Sequence, residues 1–272
     1  MVKLGVVGKG GTGKTTTSAL IGMAYVGRGK RVVAIDTDSN PNLSMSLGLD
    51  EEAAARAPLV PRSLNLARHG GVTPADLLAD YGVPTPAGIT LLHAMRVDQV
   101  GSGCSCANHA SVRSVLAAAI EEEADLALVD MEAGLEHLGR SGGTLAHADI
   151  LLMVMEPTRK SVLTAARTMA LAEELGIPRV AGVGNKATAR DGGFFTEVTA
   201  EYGVPLAGVV PFDPAIAMAD RHGTRLTLGP GPVAAAIEAI VDFVESRSEQ
   251  RAALERERYR IQRRLAQLTA LR

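Results

Sequence analysis

Gly8-Lys9-Gly10-Gly11-Thr12-Gly13-Lys14-Thr15-Thr16 is the stretch whose reading decides the fold. Glycine, four residues, then Gly13-Lys14-Thr15 is the frame of a phosphate-binding P-loop. Each residue type has a task there. The glycines let backbone N–H groups turn toward phosphate, Lys14 reaches the β- and γ-phosphates, and Thr15 offers its hydroxyl to Mg²⁺. The flanks agree with this reading. Val2 to Val7 reads as a short buried strand, and Thr15 to Val26 as a helix whose N-terminus points its positive dipole at the nucleotide. A glycine-rich turn that matched by chance would lack both flanks. Lys9, taken alone, reads as a solvated surface charge.

Working outward, strand-like runs alternate with helical ones. Val2–Val7, Arg31–Ile35, Ile89–Leu92, Leu126–Val129, Ile150–Val154, Arg179–Val183 and Leu206–Val210 are the candidate strands. Several are continuously apolar, as parallel strands covered on both faces must be. Helical patterns lie at Thr15–Gly27, Ser111–Glu123, Ser161–Glu174 and Val233–Ser246. The alternation predicts an α/β fold: a doubly wound, mostly parallel sheet with helices on both faces and its ligand at the strands' carboxyl ends. Asp50 to Pro86, rich in Ala, Pro and Gly, reads as an irregular or short-helical excursion. Residues 1–245 are expected to form one P-loop domain, followed by a tail at 246–272.

The chain has 272 residues, enough for a large core, with 46% hydrophobic and 21% charged residues, as in soluble globular proteins. Aromatics are only 3% and tryptophan is absent, so the core must be aliphatic. A net charge of −2 argues against nonspecific nucleic-acid binding by the body of the protein. The sequence holds no apolar run of the ~18 residues that cross a membrane, and its start lacks the pattern of a signal peptide. A cytoplasmic protein is expected. In that compartment the pair Cys104-Ser105-Cys106 argues against a structural disulfide.

Two more stretches support nucleotide chemistry. Arg31 to Ile35 runs into Asp36-Thr37-Asp38, and a carboxylate at a strand's carboxyl end near the phosphate loop can hold Mg²⁺ or orient an attacking water. An aspartate there also serves as a turn or helix cap. Leu126-Ala127-Leu128-Val129-Asp130 is an apolar strand ending in aspartate, the Walker B arrangement that grips Mg²⁺. Met131-Glu132-Ala133-Gly134 follows, and a glycine just past the metal aspartate lets the backbone swing onto the γ-phosphate or away. Asn185-Lys186 and Pro211-Phe212-Asp213 both follow strands, where a nucleotide base should lie.

With Lys9, the run Lys-Gly-Gly-Thr-Gly-Lys-Thr-Thr resembles the deviant Walker A ATPases, the family of MinD, ParA and the nitrogenase iron protein. The resemblance implies that Lys9 reaches across a dimer interface to the partner's ATP, so that the active form is an ATP-dependent homodimer. It also implies that Asp38, 24 residues after Lys14, orients the attacking water. Asn185 and the Pro211-Phe212-Asp213 segment, with Lys186, are the implied adenine pocket. ATP or ADP and Mg²⁺ are the cofactors, with Gly8, Lys9, Gly10, Gly11, Thr12, Gly13, Lys14, Thr15 and Thr16 around the phosphates. Thr15, Asp36 and Asp130 are the Mg²⁺ candidates.

Gly103-Cys104-Ser105-Cys106 narrows the reading. Two thiols one residue apart cannot complete a tetrahedral metal site, but a twofold dimer doubles them to four. Four thiolates suit zinc or an iron–sulfur cluster, and thiolates also take nickel. Free cysteines are otherwise small buried apolar residues, but glycine and serine surround this pair. Taken with Asp130-Met131-Glu132-Ala133-Gly134-Leu135-Glu136-His137-Leu138-Gly139-Arg140, the chain from Lys3 to about Phe243 closely resembles the carbon monoxide dehydrogenase accessory ATPases of the CooC type. The resemblance implies a nickel-inserting ATPase with carbon monoxide dehydrogenase or acetyl-CoA synthase as client. Ni²⁺ or Zn²⁺ would be held by Cys104 and Cys106 of both subunits, and His137 reads as structural.

Two alternatives belong to other classes. A MinD- or ParA-like positioning ATPase would ignore loss of Cys104. An iron–sulfur carrier resembling the nitrogenase iron protein would be brown when purified anaerobically. The tail carries eight arginines against three glutamates from Ser246 to Arg272, with Leu254, Ile261, Leu265, Leu268 and Leu271 at helical spacing. Such a helix can contact an anionic membrane or a partner, but a solvated terminal helix with one docked stripe is the favoured reading.

Overall fold

The computed structural model describes residues 1–38, 41–61, 73–94, 123–131, 148–174, 177 and 179–249. Cys104, Cys106, His137, most of the Ser111–Glu123 helix and the chain from 250 onward therefore lie outside the described residues.

Eight strands form one sheet among these residues: β1 (Val2–Gly8), β2 (Val32–Asp36), β3 (Val83–Pro84), β4 (Thr90–His93), β5 (Leu126–Asp130), β6 (Ile150–Met155), β7 (Val180–Ala187) and β8 (Leu206–Pro211). Their order is β3-β4-β2-β5-β1-β6-β7-β8, parallel throughout except for the short β3, which runs antiparallel to β4. The expected doubly wound α/β architecture is the one observed. Helices α1 (Lys14–Gly27), α2 (Leu43–Ser46), α3 (Glu51–Arg56), α4 (Pro74–Tyr81), α5 (Arg159–Glu174), α6 (Phe194–Glu201) and α7 (Pro214–His222) precede α8 at residues 232–249.

Alternation along the strands separates two core layers. Leu126 and Leu128 of β5 pack with α1, α2 and α8, while Ala127 and Val129 pack on the face carrying α4, α5 and α6. The Asp50–Pro86 region contains α3, α4 and the edge strand β3. Thr73 and Asp76 form a reciprocal capping box at α4, reinforced by Pro74 in its first turn. Strand β7 runs to Ala187, four residues past the expected end, because its irregular pairing with β8 continues to Ala187 opposite Pro211. Helices α6 and α7 were not visible as patterns, since each is short and flanked by turn residues.

Helix α8 extends from 232 to 249, beyond the expected end at Ser246. It buries Val233, Ile237, Ile240, Val241 and Val244 against the sheet and α1. Arg28, just past α1, donates to Glu238, to Asp242 at 2.6 Å and to Glu245 at 2.8 Å on α8. Five buried aliphatics at about 2 kcal/mol each outweigh surface ion pairs, which contribute below about 1 kcal/mol apiece. Packing therefore holds α8, and Arg28 fixes its register. Among the described residues no helix is long and apolar enough to cross a membrane.

Candidate functional site

The phosphate loop joins β1 to α1 at the carboxyl edge of the sheet. Gly13 sits in left-handed backbone (φ 89°), and a Cβ there would stand 2.3 Å from Asn185 Nδ2, so only glycine fits. Among the described residues no side chain caps α1, which leaves its first amides for an anion. Lys14 is buried, with Nζ 3.5 Å from the Lys9 carbonyl. Lys9 itself, Gly10 and Gly11 are exposed at the crest.

Two carboxylates end adjacent strands in register: Asp36 on β2 lies opposite Asp130 on β5. Both are almost completely buried. Asp36 accepts amide hydrogens from Asp38 at 3.0 Å and Leu43 at 3.1 Å, so it ties the end of β2 to the first residue of α2. Asp130 accepts the Ser18 hydroxyl at 3.0 Å and a hydrogen bond from Thr15. Burial raises the Asp36 carboxyl above its ordinary range, the Asp130 charge raises it further, and the two amides oppose this. Burial also raises Asp130, against the pull of Thr15, Ser18 and Lys14. A hydroxyl and two buried, under-compensated carboxylates form a hard oxygen donor set of the kind Mg²⁺ takes.

A cleft of about 500 Å³ opens over the loop. Gly10, Gly11, Gly13, Lys14, Thr15 and Thr16 form its floor, and Asp38 and Lys186 reach its rim. Asn42, Met45 and Ser46 of the α2 region and Ala219, Asp220 and Thr224 at the end of α7 make walls that the sequence did not single out. Ser18, Asp130's partner, was also missed. It repeats Thr15's face one turn on, and that spacing is the one signal that could have found it.

The implied adenine residues fall into two groups. Asn185 is buried and gives its amide to the Thr12 carbonyl at 2.8 Å, and Lys186 gives its ammonium to the Gly11 carbonyl at 2.5 Å and to Glu156 at 2.8 Å. Pro211 closes β8, Phe212 is 51% exposed, and Asp213 caps α7 by accepting Ala215 N at 2.8 Å. This second group does not line the cleft described above. Of the Asp130–Arg140 run, only Asp130 and Met131 lie within the described residues, Met131 buried and donating its amide to the Val6 carbonyl.

Residues 6–226 match the model of the CobQ/CobB/MinD/ParA nucleotide binding domain. The carbon monoxide dehydrogenase accessory protein CooC of Rhodospirillum rubrum is 36% identical over 235 residues, covering 82% of this chain and 88% of that protein. An uncharacterised ATP-binding protein of Methanocaldococcus jannaschii is 30% identical over 257 residues, 89% of this chain and 97% of its own. The septum site-determining protein MinD of Pyrococcus horikoshii OT3, solved with Mg-ADP, shares the fold with a TM-score of 0.64 at 21% identity, over 90% of this chain and 95% of that one. Phosphate loop, strand-end carboxylates and sequence likeness converge: the chain belongs to the CobQ/CobB/MinD/ParA nucleotide-binding family and, within it, to the CooC-type accessory ATPases.

Proposed function

We propose that this protein is an ATP-hydrolysing metallochaperone that carries nickel or zinc between two subunits and assists metal insertion into carbon monoxide dehydrogenase or acetyl-CoA synthase. The observation that carries this reading is the 36% identity to a carbon monoxide dehydrogenase accessory protein across 82% of the chain. The Cys104-x-Cys106 pair in the same sequence supports it. The phosphate loop of a nucleotide-binding family supplies the energetic part.

The chain's own residues account for phosphoryl transfer to water. The amides at the start of α1 bind the polyphosphate, and Lys14 neutralises charge that builds up between the β- and γ-phosphates. Lys9, exposed at the crest, would reach the nucleotide of a second subunit. Asp38, at the cleft rim, accepts a hydrogen bond from the attacking water and orients it. Thr15, Asp130 and Asp36 would hold Mg²⁺, which supplies Lewis-acid neutralisation of the phosphate oxygens. Nucleotide binding closes the homodimer and brings the two cysteine pairs together. Hydrolysis loosens it and hands the metal ion over as cargo.

Metal stoichiometry tests the proposal. One Ni²⁺ or Zn²⁺ should bind per dimer, more tightly with ATP, and more weakly as pH falls because protons compete for the thiolates. Cys104→Ser or Cys106→Ser should abolish tight binding and leave ATP binding intact. One metal per monomer that survives both substitutions would return the positioning-ATPase reading, and broad visible absorption after anaerobic purification would favour an iron–sulfur cluster.

A further inference from the structure

A phosphate loop binds through amides, and a peptide's N–H and C=O point in opposite directions, so the donors behind its carbonyls decide where its amides point. Three carbonyls of this loop, those of Lys9, Gly11 and Thr12, are held in that way. The Lys9 carbonyl accepts from Thr12 N at 3.3 Å and Thr12 Oγ1 at 2.9 Å, closing a turn at the crest. The Gly11 carbonyl accepts from Lys186 Nζ at 2.5 Å, and the Thr12 carbonyl from Asn185 Nδ2 at 2.8 Å. Two successive residues of β7 thus brace two successive carbonyls of the loop.

Lys186 reaches its position in an unusual way. Among the described residues it is the non-glycine residue with positive φ, at 57°. The pairing of β7 with β8 slips between Gly184 and Ala187, so the irregularity falls on Asn185 and Lys186. Irregularities of this kind re-aim side chains. Here the ammonium is re-aimed onto the crest of the loop and fixed by Glu156, just past β6, at 2.8 Å. Glu156 is itself tied to the start of α5 through its amide and Ser161 Oγ at 3.0 Å.

We propose that Lys186 is a positioning residue for the phosphate loop: by bracing the Gly11 carbonyl it sets the crest turn that presents the loop's amides to a polyphosphate. This deepens the nucleotide-binding reading above and rests on it. It differs from the adenine contact that the family resemblance implies, because a brace on the loop acts on the phosphate end of any ligand, with or without a base.

Inorganic tripolyphosphate separates the two roles. Binding of ATP and of tripolyphosphate to the full chain would be measured by calorimetry with Mg²⁺, for the wild type, Lys186→Met and Lys186→Arg. The brace predicts that Lys186→Met weakens both ligands by about tenfold, as expected for loss of a charged hydrogen bond, and that Lys186→Arg recovers most of that loss. Weakening of ATP with tripolyphosphate unchanged would overturn the proposal in favour of a base contact, and so would no weakening of either. If Lys186→Met does not fold, Glu156→Gln removes the carboxylate that fixes the ammonium. A loss of roughly threefold in tripolyphosphate affinity then supports the brace, and unchanged affinity overturns it. A wild-type protein that binds neither ligand would instead remove the underlying nucleotide reading.

Discussion

The two halves of the sheet's carboxyl edge serve one cleft by opposite means. On the β2–β5 half, Asp36 and Asp130 stand in register with their carboxylates buried beside each other. On the β7–β8 half, Asn185 and Lys186 spend their donors on the protein's own loop, and the turn at Phe212 stays exposed. The first half buries two carboxyls whose ionisation is disfavoured by desolvation and only partly offset by their hydrogen bonds, at a cost to the folded protein. The second half satisfies its polar groups in advance and stabilises the loop. Buried charge and preorganisation are thus divided between two strand pairs that β1 and β6 separate.

Substitutions can break or sharpen this contrast. The largest effect is expected at Lys14, which lies between the halves. Lys14→Ala should lower kcat/KM for ATP by roughly a thousandfold or more, read by phosphate release, since the β/γ-phosphate contact has no substitute.

The carboxylate half should reveal itself through pH. With the carboxyl of Asp36 raised to about 8 and that of Asp130 to about 6, the folded protein retains protons that the unfolded chain has lost. Stability should therefore fall as pH rises from about 4, where an unfolded aspartate ionises, to about 8 in magnesium-free, nucleotide-free buffer. Asp36→Asn should flatten the slope and raise the melting temperature at the alkaline end by several degrees while impairing hydrolysis. A wild-type melting temperature independent of pH across that range would contradict the contrast.

On the bracing half the effects should be smaller and of the other sign. Asn185→Ala leaves the Thr12 carbonyl without its donor, which should destabilise the protein by about 1–2 kcal/mol and raise the KM for ATP about tenfold. The smallest effect is expected at Phe212. Phe212→Ala should change stability by less than about 0.5 kcal/mol, because half the side chain is already in water, and raise the KM for ATP at most a few-fold. A larger loss there would bring the β8 turn into the binding site.

The carboxylate half was legible in the sequence because its chemistry is written locally. An apolar strand ending in aspartate, and a glycine loop followed by a helix, announce themselves within ten residues. Asp36 was read as a metal or turn carboxylate, and its two amide contacts show the turn use in full. The bracing half was legible only as position. Asn185 and Lys186 could be placed at a strand end, but their donors' targets lie about 170 residues away and depend on how β7 meets the loop. The walls formed by α2 and α7 carry no pattern at all. Asn42, Met45 and Thr224 meet at the cleft through tertiary folding alone.

Helix α1 is anchored at both ends. Thr15 and Ser18 tie its first turns to Asp130, and Arg28 ties its far end to three carboxylates on α8. Across about 21 Å it is a strut and not a piston. Slippage along its axis would break both ends together. Leu226, beyond α7, donates its amide to the Ser46 carbonyl of α2 at 3.1 Å. That bond ties the two walls of the cleft to each other, so that the α2 and α7 sides form one continuous boundary beside the strut.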